Sequence, residues 1–255
     1  MTSELIKYFY ECEDYFFRAI SKESFNYSHQ TRIYITAVPV ASLNVVVIPH
    51  PIKDLGLFLN NINQFFMGKS LPWAAAFSLC DPIHALENGL ESIHFAESEN
   101  ATSMCIPLNQ IPPFHSNEAL LIKATDTKLA DWRTPLIEAF QSTVELTALY
   151  QKTHEHALVK KSQLHHLTLY LNEKPISSLT LSLQGKLARI DDFGTLPAHQ
   201  RKGYGSYLLN FALDKLKKLG VEYCFLEAAE SSLSLYEKLG FKILFKRKYL
   251  WDFYN

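Results

Sequence analysis

The chain has 255 residues, 47% hydrophobic and 20% charged, with 25 Lys+Arg against 26 Asp+Glu and a formal net charge of -1. That apolar share is ordinary for a globular protein and excludes a disordered chain; near-neutrality excludes a protein that holds nucleic acid by bulk charge. The length fits one large domain or two small ones, with enough chain to bury a core without staples.

The longest clean apolar run, Val45-Val46-Val47-Ile48, is stopped by Pro49, far short of the ~20 residues of a bilayer span. The opening Met1-Thr2-Ser3-Glu4-Leu5 carries an acid and no basic stretch, unlike a signal peptide. The four cysteines, Cys12, Cys80, Cys105 and Cys224, are scattered without a C-x-x-C and read as buried hydrophobes of a reducing compartment. A cytoplasmic protein is expected, engaging neither membrane nor nucleic acid.

In chain order, Leu43–Ile48 reads as a strand, followed by the loop Pro49-His50-Pro51. A helical pattern then runs through Leu55, Phe58, Leu59, Ile62, Phe65 and Phe66 to Gly68. Trp73–Leu79 is a strand, and Asp81-Pro82 supplies a cap and a first-turn proline for a short helix that Gly89 ends. Strands are expected near Glu91–Ala96 and Ser103–Leu108, with Ile111-Pro112-Pro113-Phe114 as a linker. Ala119–Ala124 reads as a strand, and Leu129–Phe140 and Thr143–Ala157 as helices. Leu164–Leu171 and Ile176–Leu183 should pair as a hairpin through Asn172-Glu173-Lys174-Pro175. Lys186–Leu196 follows as a strand closed by Pro197. Leu208, Leu209, Ala212, Leu213, Leu216 and Leu219 recur at helical spacing, with three lysines near the end and Gly220 at the stop. Val221–Ala228 is a strand, Ser231 or Ser232 caps a short helix through Leu239, and Phe241–Phe245 is a strand again.

Glycine is scarce, 9 residues in all, against an average usage of ~7%. Two of the nine stand one residue apart in Gln200-Arg201-Lys202-Gly203-Tyr204-Gly205, between a strand and a helix. Such a turn makes an anion site, because the first N–H groups of a helix are unsatisfied and carry partial positive charge. Absent side chains let the backbone approach oxygen atoms, and Arg201 and Lys202 add fixed charge. An ordinary tight turn with a solvated basic rim is the alternative reading. The spacing fits neither G-x-x-x-x-G-K-[ST] nor a three-glycine dinucleotide fingerprint.

These residues match the Q/R-x-x-G-x-G/A signature of the GNAT acyltransferase superfamily. Leu235-Tyr236-Glu237-Lys238-Leu239-Gly240-Phe241 resembles its second signature, in the expected order and spacing behind the hairpin. The resemblance covers roughly residues 117–255. It implies an α+β GNAT fold, a mixed, mostly antiparallel sheet flanked by helices, and acyl transfer from acetyl-CoA or a related acyl-CoA (coenzyme A being released) to an amine of a small molecule or peptide in a ternary complex, with no metal. By position, the backbone of Phe193, Gly194 and Thr195 would pair with the pantetheine arm. The loop N–H groups of Gln200, Arg201, Lys202, Gly203, Tyr204, Gly205 and Ser206 would hold the pyrophosphate. Tyr236 would protonate the leaving sulfur, since a phenol with a pKa near 10 keeps its proton at neutral pH.

The base is less defined. Asp191 and Asp192 are adjacent, and strand alternation puts them on opposite sides. Some superfamily members carry a Glu on this strand, where this chain has Arg189; Asp191 shares that face, which favours it. A carboxylate satisfying a neighbouring backbone group explains the same residues. Ala229 stands where many members have an Asn seven residues before the tyrosine, removing one polar contact to the cofactor.

Residues 1–116 repeat the element order without the motifs. Aligning Gly89 on Gly240 puts Ala85 at the tyrosine position, so this half resembles a shortened, degenerate GNAT domain beside a catalytic domain at 117–255, packed against it to wall the amine pocket. An unrelated α+β domain is the alternative. His154-Glu155-His156 and His165-His166 lack the spacing of a metal site, and Lys246-Arg247-Lys248 reads as a strand alternating core and solvent. The rival function is a GNAT fold that senses CoA or docks a protein without turnover.

Overall fold

The computed structural model describes residues 2–27, 30–79 and 95–253. Contacts divide the chain into one unit of Met1–Ile20 with Met104–Leu244 and a second of Ser21–Ser103 with Phe245–Asn255. This differs from a single cut after residue 116. Residues 104–116 and helix α1 (Thr2–Ile20), left unassigned in the sequence reading, join the first unit, and Phe245–Asn255 joins the second; the α1 stripe Phe9, Cys12, Phe16 and Ile20 is buried in the first unit. The spacing of three or four residues is that of one helical face.

The first unit holds the strand order β5-β10-β9-β8-β7-β6. These are β5 (Phe95–Pro107), β6 (Leu120–Ala124), β7 (Leu164–Leu171), β8 (Lys174–Gln184), β9 (Leu187–Thr195) and β10 (Tyr223–Ala229), with β5 beginning in the other unit. Strands β6 to β9 pair antiparallel with their neighbours, and β9 pairs parallel with β10. The β7–β8 hairpin turns through Asn172 and Glu173, both at positive φ, as a two-residue turn matched to strand twist requires. Strands are expected near Glu91–Ala96 and Ser103–Leu108; residues 91–94 fall outside the described residues, and β5 runs unbroken from Phe95 to Pro107. The intervening Ser98-Glu99-Asn100 is exposed strand rather than a turn.

The two faces of this sheet differ in chemistry. On one, Leu167, Leu169, Leu179, Leu181, Ala188 and Ile190 join Leu208, Leu209, Ala212, Leu213 and Leu216 of α5 (Tyr204–Lys218) in a single core. On the other, His166, Thr168, Ser178, Thr180, Ser182 and Arg189 are buried. Helices α1, α3 (Leu129–Ala139) and α4 (Val144–Val159) pack on this layer. Thr143 caps α4 by accepting from the Leu146 N–H.

The second unit orders β1 (Glu23–Asn26), β2 (Arg32–Ile35), β3 (Asn44–Ile48), β4 (Ala74–Ser78) and β11 (Lys242–Phe253), with β11 beginning in the first unit. Helix α2 (Leu55–Lys69) lays Phe58, Leu59, Ile62 and Phe66 on Ile33, Ile35, Val46, Ile48, Ala75 and Phe77. β1 and β2 were not anticipated, and β11 extends beyond the expected Phe245, with Lys246 exposed and Arg247 buried. The short helix expected after Asp81-Pro82, and the alignment of Ala85 with Tyr236, fall outside the described residues. Cys12, Cys105 and Cys224 are buried free thiols. Among the described residues no helix is long and apolar enough to cross a membrane.

The largely apolar α5 interface contributes to the stability of the first unit. Leu209→Ala, at a fully buried position, should cost about 2–5 kcal/mol in urea unfolding.

Candidate active site

Strand β9 carries one residue too many. Ser178 pairs with Gly194 and Thr180 with Asp191, so Leu179 alone faces both Asp192 and Phe193. Asp192 takes φ 52°, a left-handed conformation that Asp tolerates better than a branched residue. The pairing of β9 with β10 ends at Ile190↔Leu226, although β9 continues to Thr195 and β10 to Ala229. The bulge thus lies where the paired register of these parallel strands stops.

Beyond β9, the turn Pro197–His199 leads into the glycine loop. Gln200 closes it by donating from Nε2 to the Thr195 carbonyl at 3.0 Å, and Lys202 Nζ donates to the Ala198 carbonyl at 2.8 Å. Arg201 at φ 57° and Gly203 at φ 84° reverse the chain. The first α5 hydrogen bond runs from Tyr207 N–H to the Gly203 carbonyl. Among the described residues, the N–H groups of Arg201 through Ser206, ahead of that bond, have no acceptor.

The two glycines do different work. A Cβ on Gly203 would meet nothing within 4 Å, so glycine answers the left-handed φ and the bend stays open. A Cβ on Gly205 would stand 2.8 Å from the Phe193 ring and 3.2 Å from Thr195 Oγ1. Gly205 therefore serves contact with β9 rather than room for a ligand oxygen. Gly194 likewise admits Ala139 and Leu136 of α3. The structure thus brings Phe193, Gly194, Thr195, Gln200, Arg201, Lys202, Gly203, Tyr204, Gly205 and Ser206 into one strand–loop–helix junction.

Tyr236, on the short α6 (Leu233–Lys238), is buried, its ring 6.3 Å from that of Phe193 and 5.8 Å from Phe241. Burial, and then the charge of Asp191, push its phenol above the ordinary range, against a smaller opposing effect of Ser232.

The carboxylates do not fall on opposite sides as alternation predicts, because the bulge breaks the two-residue period. Asp191 accepts from Arg189 Nε through both oxygens, at 2.8 and 3.1 Å. Burial lifts it to about 6; Arg189 opposes this, while Glu13 of α1 and Glu227 of β10 add to it. Asp192 Oδ1 accepts from the Tyr150 hydroxyl of α4 at 2.8 Å, and Oδ2 lies 3.6 Å from His154 Nε2. Burial and the charge of Asp191 raise Asp192 to about 7, against the hydrogen bond from Tyr150 and the polar influence of the nearby Thr180. Helices α1 and α4, which bring these groups, pack on each other. Asp191 thus has a resident counter-ion and Asp192 does not.

Sequence reasoning missed Glu13, Tyr150, His154, His166 and Asp126. The two histidine pairs were visible, but only as a metal pattern. Among the described residues no group of three His, Cys, Asp or Glu is placed to hold a metal ion. His154 and His166 instead bond each other, Nδ1 to Nε2, at 2.9 Å.

Residues 128–241 match the model of the Acetyltransferase (GNAT) family. The chain is 42% identical over 66 residues to the uncharacterized N-acetyltransferase CgeE of Bacillus subtilis (strain 168), a match spanning 25% of this chain and 26% of that protein. It thus covers about a quarter of that relative's length. Among solved structures, a GCN5-related N-acetyltransferase from Kribbella flavida superposes with a TM-score of 0.65 at 11% identity, covering 94% of this chain and 93% of that one. A tandem GNAT protein from the clavulanic acid biosynthesis pathway gives 0.58 at 13%, covering 87% and 77%. At these identities the superpositions speak for the fold.

Two outcomes follow from the site's geometry. Gly205→Val should cost about 1–3 kcal/mol in urea unfolding through collision with Phe193. The raised carboxyl of Asp192 disfavours its ionised form in the folded protein, so it lowers stability as pH climbs from about 4, where the unfolded group titrates, to about 7. The stability of Asp192→Asn relative to wild type should therefore grow over that window and level off above it.

Proposed function

Taking as premise that residues 128–241 match the GNAT acetyltransferase family model, we propose that this chain is a cytoplasmic N-acyltransferase carrying an acetyl group from acetyl-CoA to an amine. One observation supports it above the rest: six successive N–H groups, Arg201 to Ser206, stand without acceptors beside the bulged edge of β9. Those amides, with Arg201 and Lys202 beside them, suit a diphosphate. The backbone of Phe193 to Thr195 suits an amide-bearing arm laid along the strand. The loop contributes position, and orientation alone can supply several kcal/mol of the barrier.

The reaction forms a C–N bond and breaks a C–S bond, with three proton movements. Tyr236, kept protonated by burial, gives its proton to the departing thiolate and is reprotonated by the second proton that the nitrogen sheds as the amide forms. A carboxylate takes the proton that the ammonium must lose before its nitrogen can attack. Asp192 suits this better than Asp191, because Asp191 is held in the Arg189 fork while Asp192 Oδ2 is unpaired among the described residues. No metal ion is needed in this scheme. We read the second unit as a worn copy of the same fold whose Pro49-His50-Pro51 loop lacks the paired glycines, a reading that the likeness to a tandem GNAT protein supports.

The Arg189 fork also favours a second reading, a CoA-binding module without turnover, since it neutralises one of two candidate bases. Free-thiol release from acetyl-CoA under a panel of amines separates the two.

Titration calorimetry should show acetyl-CoA binding to wild type and its loss in Gly203→Glu, whose carboxylate enters the open bend. No binding by wild type contradicts the proposal. Tyr236→Phe should lower kcat about 100-fold while acetyl-CoA affinity stays within about twofold; unchanged turnover removes the acid role.

A further inference from the structure

A line of side chains runs inward from Asp192. Its Oδ2 faces His154 Nε2 at 3.6 Å; His154 Nδ1 meets His166 Nε2 at 2.9 Å; His166 Nδ1 meets Asp126 Oδ1 at 2.8 Å. Both rings are wholly buried, whereas the side chain of Asp192 is 13% exposed and that of Asp126 is 31% exposed. A largely buried carboxylate, Asp192, and a partly exposed one, Asp126, are thus joined through two dry imidazoles. Trp132 of α3, Tyr150 of α4 and Phe16 of α1 pack around His154, and Trp132 also covers His166.

The protonation pattern can be deduced from the outer end. Asp126 also accepts the His166 backbone N–H at 2.7 Å, with His165 Nδ1 at 3.9 Å. Burial raises its pKa, but the bonds from His166 and the nearby His165 outweigh that and hold it below the ordinary value. Burial keeps both rings neutral; for His166 this outweighs Asp126, and for His154 the neighbouring His166 adds to it. An ionised Asp126 requires a proton on His166 Nδ1, leaving Nε2 as acceptor. That requires a proton on His154 Nδ1, so His154 Nε2 presents a lone pair to Asp192.

Those facing atoms, His154 Nε2 and Asp192 Oδ2, are both without hydrogen-bond partners among the described residues. Two lone pairs cannot bond. A single proton delivered to Asp192 would close the contact. The other groups facing Asp192 are Asp191, Arg189, Tyr150 and Thr180. Arg189 is permanently charged, Tyr150 is held protonated by burial and by Asp192, and Asp191 is already paired.

We propose that Asp192, His154, His166 and Asp126 form a proton relay that carries the proton lost by the acceptor ammonium from the β9 bulge to solvent. This rests on the acyl-transfer reading. The carboxylate of Asp192 takes the proton and passes it to His154 Nε2; His154 Nδ1 gives its own to His166 Nε2; His166 Nδ1 gives its own to Asp126, which releases it to water. Only protons move, and the rings return to their starting tautomers once the product has left: Asp126 takes a proton from water, the two shifts reverse, and Asp192, 13% exposed, releases the proton to water in the emptied cleft.

The test has two arms. In the resting wild-type protein, nitrogen-15 NMR of the side chains between pH 7 and 8 should show both rings protonated at Nδ1. A proton on Nε2 of either ring overturns the relay whether or not the protein is an enzyme. In the second arm, thiol release from acetyl-CoA is followed with ethanolamine, lysine, spermidine and glucosamine. His154→Leu and His166→Leu, with wild-type melting and acetyl-CoA affinity, should lose about tenfold in kcat and show a shifted pH profile and an altered solvent deuterium effect. Folded variants with wild-type profiles overturn the relay alone. A wild type that binds no acetyl-CoA and releases no thiol overturns the acyl-transfer reading, and the tautomers still decide whether the line is connected as described.

Discussion

The single extra residue in β9 is the constraint from which the site follows. With Asp192 and Phe193 both opposite Leu179, the strand cannot keep its two-residue alternation. Asp192 turns toward α4, and Phe193 meets the first turn of α5 at Gly205. The same irregularity coincides with the end of pairing to β10, so backbone groups of β9 past Ile190 are left beside the glycine loop. A regular strand would place one carboxylate in the apolar core under α5, where an unpaired charge costs several kcal/mol.

The division of the sheet into an apolar and a polar face extends this. Under α5 the core is mainly aliphatic, and a substitution there is felt chiefly through the volume it changes. Under α1, α3 and α4 the buried groups are Thr, Ser, His, Arg and Asp, and each requires a partner of definite geometry. Thr125 and Thr168 bond at 2.9 Å, Ser178 donates to the Trp132 carbonyl at 2.7 Å, and Tyr170 donates to Asp131 at 2.6 Å. Such a layer specifies positions more sharply than an apolar one. It is where the pKa values of Asp191 and Asp192 are lifted toward neutrality, the range in which a carboxylate can exchange protons at physiological pH.

Much of the first unit was legible because its punctuation is local. Asn172-Glu173, Pro197, Gly203, Gly220 and Gly240 each mark a boundary through their own backbone preference, and β7 agrees with the expected Leu164–Leu171. The paired glycines and Tyr236 carried the family resemblance for the same reason. What escaped was tertiary. Helix α1 could have been found from Phe9, Cys12, Phe16 and Ile20, but its place over Arg189 depends on long-range packing. The bulge leaves no composition signal beyond an Asp-Asp pair, so alternation was the natural and mistaken guide. The histidines were read against metal spacings, whereas His154 and His166 meet only because a helix and a strand bring them together.

The central claim is that unsatisfied amides of the loop and the released edge of β9 form one binding surface. Backbone amide NMR during titration with coenzyme A tests it most directly. The account predicts the largest shift changes at Arg201 to Ser206 and at Phe193 to Thr195, saturating together at one dissociation constant. Changes confined to other elements, or a loop that stays silent while the strand responds, would contradict it.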